Sequence, residues 1–322
     1  MQIMSIAAAL RRNKLGAMLI GVQIAITLAL VCNCLSIIEQ RMQSTRRPTG
    51  IDESSVFTLD NQWIGDVEDL PARIKGDLAA LRSLPGVIGV AATPSVPLTG
   101  RGSNGGVKLR PEQSQPTAYT GIYFVDEQGQ AAFGTRLIVG RWFTAGEIRD
   151  LRAGDIEMPP VMIVTSTLAN SLFPAGDALG HEVYLGQTPT RIIGIVERFE
   201  TSMAASSWGE QFIENSILLP MQAIDTKLVF VVRTERDRLA ATMRAARSKL
   251  LEMDRSRIIR DVLPFQETRD RVYHGYRALS VMLAIVSGLL LVVTALGIVG
   301  ITSYWVTQRR RQIGRASCRE RV

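Results

Sequence analysis

Motifs that bind nucleotides or activate a serine nucleophile are absent from the 322-residue sequence. No G-x-x-x-x-G-K-[ST] string occurs, so the sequence predicts no phosphate-binding loop. The glycine-rich stretch at residues 101–108 lacks that spacing, and we predict a flexible, turn-rich loop over residues 101–106. No G-x-S-x-G string occurs either. The sequence therefore predicts a protein that is not itself an enzyme.

Residues that could bind a metal ion are few and scattered. The two histidines, His181 and His274, lie far apart in the sequence and have no cysteine nearby, so we predict surface or capping roles for them. The acidic pairs at residues 52–53 and 68–69 are interpreted as ordinary solvated side chains. We predict neither a metal site nor a cofactor.

The three cysteines lie outside the middle of the sequence. Cys32 and Cys34 fall in an apolar stretch, where we expect them to pack as small apolar side chains, and Cys318 lies near the end of the chain. A middle region without cysteine can fold in an oxidising compartment without a disulfide framework.

Two basic clusters could anchor the chain to a membrane or bind a partner. The first is a candidate cytosolic membrane anchor made of Arg11, Arg12 and Lys14. The second consists of Arg309, Arg310 and Arg311, followed by Gln312. Anionic lipid can hold such arginines at a membrane surface, so the net charge of +7 does not call for a nucleic-acid partner.

Two long apolar stretches separate these clusters from the middle of the chain. Residues 15–38 and residues 278–306 contain no Asp, Glu, Lys, Arg or His. About 20 apolar residues suffice to cross the hydrocarbon core of a bilayer, so both stretches predict transmembrane helices. A cleaved signal peptide and a lipoprotein signal are the alternatives for the first stretch, but no A-x-A site follows it, and Val31 and Asn33 stand where a lipoprotein signal needs small residues.

The small residues of both stretches recur at spacings that let helices approach closely in lipid. Gly21, Ala25 and Ala29 form one such face, and the second stretch adds Ala284 with Gly288 and Gly297 with Gly300. We expect these faces to pack the two helices together or against further helices. The basic residues beside the stretches favour both termini in the cytosol and the middle region outside it.

The middle region predicts an α+β domain. Strands at residues 56–60 and 87–92 enclose a helix at residues 71–84, and strands at 228–233 and 258–263 enclose a second helix at 237–253. Two such β-α-β units predict a split βαβ sheet covered by two helices. Between them, residues 96–219 predict an insertion that is mostly β. Its predicted elements are strands at residues 138–143, 161–165, 182–185 and 191–196 and one helix at residues 166–172.

The last ten residues differ from the rest of the chain. Residues 313–322 look like the translation of a common sequencing adapter, with a short natural basic tail as the alternative. We expect the natural chain to continue beyond Gln312, and we leave this segment out of the fold prediction.

Several strings, in order, resemble the FtsX-like permeases of MacB-type ABC transporters. Gly140-Arg141-Trp142-Phe143 is similar to the family's G-R-x-F motif, and Ile192-Ile-Gly-Ile-Val196 is similar to its I-V-G-V-V strand. The other matching strings are residues 8–15, residues 168–174 with Leu179-Gly180, and residues 297–311. Gln312 departs from the Glu that the family pattern expects. A full permease of this family has four transmembrane helices, of which the chain contains the first two.

The resemblance implies a function in transport or force transmission. It implies a permease subunit in the bacterial inner membrane that works with a separate cytosolic ABC ATPase, forms a homodimer or a pair of permeases, and contacts membrane lipid. Arg309, Arg310, Arg311 and Gln312 would then begin the loop that binds the ATPase. A two-span sensor with an extracytoplasmic ligand-binding domain is the alternative. The transported substrate is not implied.

The prediction divides the chain into six segments. They are a cytosolic amphipathic segment (1–14), a first transmembrane helix (15–38), a MacB-like periplasmic core domain (39–276, with porter-like halves at about 50–95 and 220–265), a second transmembrane helix (277–306), the start of a coupling loop (307–312) and the adapter-like tail (313–322).

Overall fold

The computed structural model describes residues 14–65, 67–152, 154, 157–204, 206 and 208–319. The chain forms two compact units. One consists of Met1–Arg47 with His274–Val322, which we call the helix pair, and the other is Pro48–Tyr273, which we call the domain.

Six α-helices occur in the described residues: α1 Lys14–Arg46, α2 Leu70–Arg82, α3 Gly129–Phe133, α4 Ser166–Leu172, α5 Leu239–Met253 and α6 Phe265–Arg319. The strands of the same residues are β1 Val56–Trp63, β2 Val87–Thr93, β3 Ser103–Lys108, β4 Ala118–Val125, β5 Leu137–Gly140, β6 Arg149–Leu151, β7 Val161–Thr165, β8 Glu182–Leu185, β9 Thr188–Val196, β10 Ser216–Ala223, β11 Lys227–Thr234 and β12 Arg257–Pro264. Short 3₁₀ turns cover Ala145–Glu147, Gly209–Phe212 and Arg236–Arg238.

Two helical segments are long and apolar enough to cross a membrane, Met18–Arg46 in α1 and Phe265–Tyr304 in α6. Both helices extend beyond the predicted apolar stretches. Most of their large apolar side chains are exposed, as expected for helices whose outer surface faces lipid and not water.

A narrow and partly polar seam joins α1 to α6. The hydroxyl oxygens of Thr27 and Thr294 lie 2.7 Å apart, and the guanidinium of Arg41 lies 4.2 Å from the centre of the Tyr276 ring. A Cβ atom on Gly297 would lie 2.6 Å from the amide nitrogen of Gln23. These contacts pair early residues of α1 with late residues of α6, so the two helices run antiparallel. The less exposed residues of α6 recur every three or four positions, which is the spacing of a coiled-coil seam. The residues with this spacing are Tyr276, Ser280, Leu283, Ser287, Leu290, Thr294, Gly297 and Ile301, and Ile298 beside them is also partly buried.

The predicted small-residue faces take part in this seam only at Gly297. Among the described residues, no atom lies within 4 Å of a Cβ built on Gly21, Gly288 or Gly300. Those three positions therefore do not bring α1 and α6 together.

The first and last thirds of the domain form one four-stranded sheet in the order β12-β1-β11-β2. Each neighbouring pair is antiparallel, so the strands of one β-α-β unit alternate with those of the other. This is the predicted split βαβ arrangement, and the α+β fold class is confirmed. Helices α2 and α5 supply one side of its core. The core includes Phe57, Leu59, Ile74, Leu81, Phe230 and Leu250.

The insertion forms a second sheet that closes on itself. Its strands follow the order β4-β3-β8-β9-β7-β10, and β10 also pairs with β4, which completes a ring. The β4–β10 and β7–β9 pairs are parallel, and the other pairs of the ring are antiparallel. We call this part the barrel. Strands β5 and β6 pair outside the ring with β9 and β10.

Several predictions for the insertion were wrong. The predicted loop at residues 101–106 contains most of strand β3, whose glycines make room for neighbours, since a Cβ on Gly106 would lie 2.5 Å from Pro116. The predicted strand at residues 138–143 ends at Gly140. Strands β4 and β10 and helix α3 were not predicted. Proline is unusual inside a sheet, but Pro220 of β10 stands opposite Val125 at the end of the parallel pairing with β4, and every residue of β10 is buried.

Candidate functional site

The chain enters the domain at Pro48 and leaves it at Tyr273, and the two connecting segments contact each other. The entering segment is residues 48–55, which follow helix α1. The leaving segment is residues 265–273, the first turns of helix α6. Any force that passes along the chain into the domain must pass through these two segments.

An ion pair joins the two segments. Nη1 of Arg269 lies 2.6 and 2.7 Å from the two carboxylate oxygens of Glu53. The hydroxyl of Thr49 donates to the same carboxylate over 2.7 Å. The side chains of Arg269 and Glu53 are only 16% and 20% exposed, so solvent screens this pair less than a surface pair. We call Thr49, Glu53 and Arg269 the clasp.

The leaving helix is also fixed to the domain by its aromatic residues. Phe265 and Tyr273 are 0% and 1% exposed, and they stand eight residues apart on helix α6. Arg269 lies midway between them. The guanidinium is therefore carried on a helical segment whose ends are both buried, which limits how far the clasp can move without moving the helix.

The entering segment is fixed to the barrel side of the domain. The backbone N–H of Glu200 donates to the carbonyl of Thr49 over 2.9 Å. Gly50 has a φ of +86°, and a Cβ there would lie 2.1 Å from the carbonyl oxygen of Arg198. Only glycine fits both the left-handed backbone and this close approach. The clasp is thus connected to the loop that follows strand β9.

Asp52, the neighbour of Glu53, makes a second set of contacts. Burial raises the pKa of Asp52, but hydrogen bonds from Ser55 and Ser54 and the charge of Arg233 outweigh it and hold the pKa below its ordinary value. The carboxylate lies 3.1 Å from Arg233 of strand β11. The backbone N–H of Asp52 donates to Phe133 at the end of α3. The entering segment therefore contacts the four-stranded sheet as well.

The interpretation as ordinary solvated residues was wrong for Asp52 and Glu53, whereas Glu68 and Asp69 are exposed, as predicted. Asp52 and Glu53 each bind an arginine, as described above. Asp69 is the N-cap of helix α2, where its carboxylate accepts a hydrogen bond from the N–H of Ala72 over 3.3 Å. The clasp could not be recognised from any local sequence pattern, because Glu53 and Arg269 are 216 residues apart.

The structure describes the backbone of five of the seven site residues predicted from sequence, and all five lie in the two long helices. Arg309, Arg310, Arg311 and Gln312 lie in helix α6, which continues to Arg319, and Lys14 is the first residue of helix α1. Arg11 and Arg12 lie outside the described residues. Their coupling and anchoring roles stay predictions.

The clasp has the chemistry of a mechanical connection. Within the residues that the structure describes, no three His, Cys, Asp or Glu side chains are grouped so that they could hold a metal ion. His181 lies 4.8 Å from the Phe173 ring and 3.5 Å from the carboxylate of Asp177. His274 is exposed. What the domain does offer is a charged, hydrogen-bonded link between the two connecting segments.

Comparison with known proteins identifies the family. The family described as the MacB-like periplasmic core domain matches residues 17–249. The chain is 27% identical over 184 residues to a macrolide export ATP-binding/permease protein MacB of Chromobacterium violaceum, covering 56% of this chain and 27% of that protein. It is 26% identical over 200 residues to the protein of the same name from Hyphomonas neptunium, covering 59% and 29%. The chain thus spans less than a third of the length of these curated relatives.

Two solved structures are similar at 14% sequence identity. One is the periplasmic region of MacB from Actinobacillus actinomycetemcomitans, with a TM-score of 0.43 over 71% of this chain and 97% of that one. The other is the extracellular domain of the noncanonic ABC-type transporter YknZ from Gram-positive bacteria, with a TM-score of 0.39 over 63% and 100%. The assignment rests on the family match, which covers most of the domain and nearly all of helix α1: the chain belongs to the MacB-like periplasmic core domain family.

Proposed function

We propose that this chain is the permease subunit of an ABC-type export or mechanotransmission system. In this proposal a separate cytosolic ATPase hydrolyses ATP, and the helix pair carries the resulting movement to a domain in the periplasm. The observation that carries the proposal is the family match over residues 17–249, because it covers both an apolar helix and most of the domain. The bacterial inner membrane is the proposed location, since both α1 and α6 contain a segment of membrane-spanning length.

The clasp supplies the coupling step in this proposal. Helix α6 contains Arg269 near its start and Arg309 to Arg311 near its end, so one continuous helix contains both the clasp and the proposed ATPase contact. Arg269 holds Glu53, and Glu53 holds Thr49, so the entering and leaving segments move together. A displacement of either helix then reaches the domain as one displacement of both segments. Such a link between two distant sites is a two-state coupling.

The partners of the proposed permease follow from its exposed surfaces. Many apolar side chains of the helix pair are exposed, Leu289 and Leu296 by more than 60%, and would contact lipid or further helices. A homodimer or a pair of permeases is proposed for the whole assembly. The curated relatives are named for macrolide export, which makes macrolides the first substrate class to test.

Co-purification with an ABC ATPase encoded beside the gene tests the proposal. The chain, expressed with that ATPase, is expected to co-purify with it and to change its rate of ATP hydrolysis. Replacing Arg309, Arg310 and Arg311 together by Glu should weaken the association, whereas Arg136→Glu, on the surface of the domain, should not. Equal co-purification of the wild type and the triple variant would contradict the coupling role. Failure of the wild type to bind any ABC ATPase would favour the two-span sensor instead.

The clasp is tested by a change that separates binding from coupling. Glu53→Gln and Arg269→Gln are expected to leave ATPase binding intact but to reduce the ATP-dependent movement of the domain, measured between two spin labels. The labels can be placed on introduced cysteines, since residues 48–273 contain none. The matched control is Glu267→Gln, which removes an exposed i,i+4 pair with Arg271 on the same helix. An identical movement in the control and in both clasp variants would rule out the clasp as the link.

A further inference from the structure

The four-stranded sheet and the barrel meet along the outer edge of strand β2. Residue Gly89 of that strand lies so close to helix α3 that a Cβ would lie 2.6 Å from backbone atoms of Ala131 and Ala132. The amide of Gln222, at the end of barrel strand β10, donates to the carbonyl of Ala92 over 3.2 Å. Helix α3 thus packs on the face of the sheet at β2 and β11, and the side chain of Gln222 bonds a backbone carbonyl of the edge strand. We call this contact the joint.

An ion pair crosses the joint at β2, and another, between Arg101 and Asp60 of β1, also links the insertion to the sheet. Nη2 of Arg82, at the end of helix α2, donates to the carboxylate of Asp126 over 2.9 Å and to the carbonyl of Val90 over 3.0 Å. Asp126 follows strand β4 of the barrel, and its side chain is only 5% exposed. The backbone N–H of Gln128 donates to its other carboxylate oxygen. Opening the joint would separate Arg82 from Asp126 and return the carboxylate to water.

The charge of Asp126 is incompletely compensated. The Arg82 side chain is one-third exposed, and its Nε atom is buried without a hydrogen-bond partner among the described residues. The pair is held through one guanidinium nitrogen and not through the two parallel bonds of a bidentate pair. A buried carboxylate with a single, partly solvated cation is costly to keep ionised.

We propose that Arg82 and Asp126 form a proton-operated latch between the four-stranded sheet and the barrel. Protonation of Asp126 favours the closed joint, and ionisation of Asp126 favours its opening. The inference rests on the geometry of the domain and is independent of the proposed transport function. It gives the domain a response to the acidity of its surroundings.

The sign of the response follows from the burial of Asp126. Burial raises the pKa of this carboxyl to about 6; the charge of Arg82 lowers it, and the neighbouring Glu127 raises it. In an open joint the carboxyl meets water, and its pKa returns toward the ordinary value of 3.8. The closed state therefore binds the proton more tightly than the open state. Acid closes the latch, and rising pH through about 6 loosens it.

Hydrogen exchange of the full chain in nanodiscs tests the latch. The readout is the protection of amides in helix α3 and strand β2, corrected for the intrinsic pH dependence of exchange. Between pH 5 and pH 8 we expect the opening equilibrium to rise about tenfold, which is the factor that the two pKa values give by linkage. Asp126→Asn, which cannot ionise, should show strong protection at both pH values and no change between them.

Two further variants keep the test decisive. Arg82→Gln removes the cation, so the midpoint of the pH response should move upward, and Glu127→Gln should retain a response of the wild-type sign. A wild type whose protection is independent of pH would overturn the proposal. So would an unchanged midpoint in Arg82→Gln or a wild-type response in Asp126→Asn, and these readouts do not require every variant to fold equally well.

Discussion

The four-stranded sheet and the barrel place their ion pairs in different environments. In the sheet, Arg257 and Asp77 join strand β12 to helix α2 with two bonds of 2.5 and 3.1 Å, and both side chains are at most 2% exposed. In the described part of the barrel, arginine–carboxylate pairs lie on the surface. An example is Arg191 with Glu182, which are 59% and 52% exposed.

The difference reflects how each part is closed. The barrel closes through its own ring of backbone hydrogen bonds, so it does not need a charged pair to hold its ends. The sheet is built from two segments that the whole insertion separates in sequence, and β12 is one of its edges. A buried, bidentate pair between residues 180 positions apart then fixes one register among many. Specific long-range pairs are expected where the chain assembles from distant pieces.

The largest loss of stability is expected when the buried ion pair of the sheet is broken. Asp77→Asn leaves the buried Arg257 guanidinium with only the carboxylate of Asp254, 3.9 Å away, as a counter-charge, and the free energy of unfolding should fall by about 3–5 kcal/mol. Urea unfolding of the full chain in detergent, followed by tryptophan fluorescence, measures it. The matched control, Glu182→Gln in the barrel, should change stability by less than about 0.5 kcal/mol. Equal losses in the two variants would break the comparison.

Substitution at the joint between the sheet and the barrel should reduce stability by nearly as much. A Cβ on Gly89 meets the backbone of α3, which cannot rotate away, so Gly89→Ala should cost about 1–3 kcal/mol. Gly105→Ala, in strand β3, is the control, because there the Cβ would meet only the end of the Ile122 side chain at 3.2 Å. The same unfolding measurement applies. A Gly89→Ala variant as stable as Gly105→Ala would show that the joint is loosely packed.

A surface ion pair of the barrel should contribute little to the free energy of unfolding, and its contribution should disappear in acid. Hydrogen bonds from Arg141, opposed by partial burial and assisted by Thr144, lower the pKa of Glu147 to about 2. The folded state thus favours ionised Glu147. Its contribution is present above the unfolded pKa of about 4.5 and is lost as the pH falls toward 2. Because Arg141 is half exposed, Glu147→Gln should cost less than about 1 kcal/mol at pH 7. Thermal unfolding at pH 7 and pH 3 checks this, and a difference that grows in acid would contradict it.

The smallest effect is expected in the helix pair. Thr27→Val removes the hydroxyl contact with Thr294 but keeps the side-chain shape, and such contacts between membrane helices are worth about 0.6 kcal/mol. Thr302→Val is the control, since its hydroxyl bonds only the carbonyl of Ile298 in its own helix. Thermal unfolding in nanodiscs would compare them. If Thr27→Val lowered the free energy of unfolding by more than about 2 kcal/mol, the contact between α1 and α6 would be far stronger than such contacts usually are, and the contrast with the sheet would fail.

Sequence predicted the parts of the fold that are encoded locally. The two β-α-β units were found because apolar residues such as Ile74, Leu78 and Leu81 repeat at helical spacing beside short apolar strands. The split order of the sheet followed from having two such units. Helix α4 and strands β7 and β8 agreed in their bounds because prolines and glycines lie near their ends.

The features that sequence missed depend on distant residues. Strand β3 is glycine-rich because Pro116 and Ile122 occupy the space of side chains, which no pattern within residues 103–108 records. Strand β10 contains a proline and is stabilised by pairing on both sides. The clasp and the latch each join residues that are charged, common and far apart in the chain. Neither pair differs from other charged residues until the fold brings its members together.

The split arrangement of the sheet also sets an order of events during synthesis. The contact between Asp52 and Arg233 closes 181 positions of chain, and strand β1 pairs with β11 and β12. At about 5–20 residues per second, the first strand waits about 10–35 s after it emerges before its partners are made. During that time its apolar residues, including Phe57 and Leu59, have no sheet to join. The barrel differs in this respect, because all of its strands are made before β11 and β12 and its ring can close before the four-stranded sheet is complete.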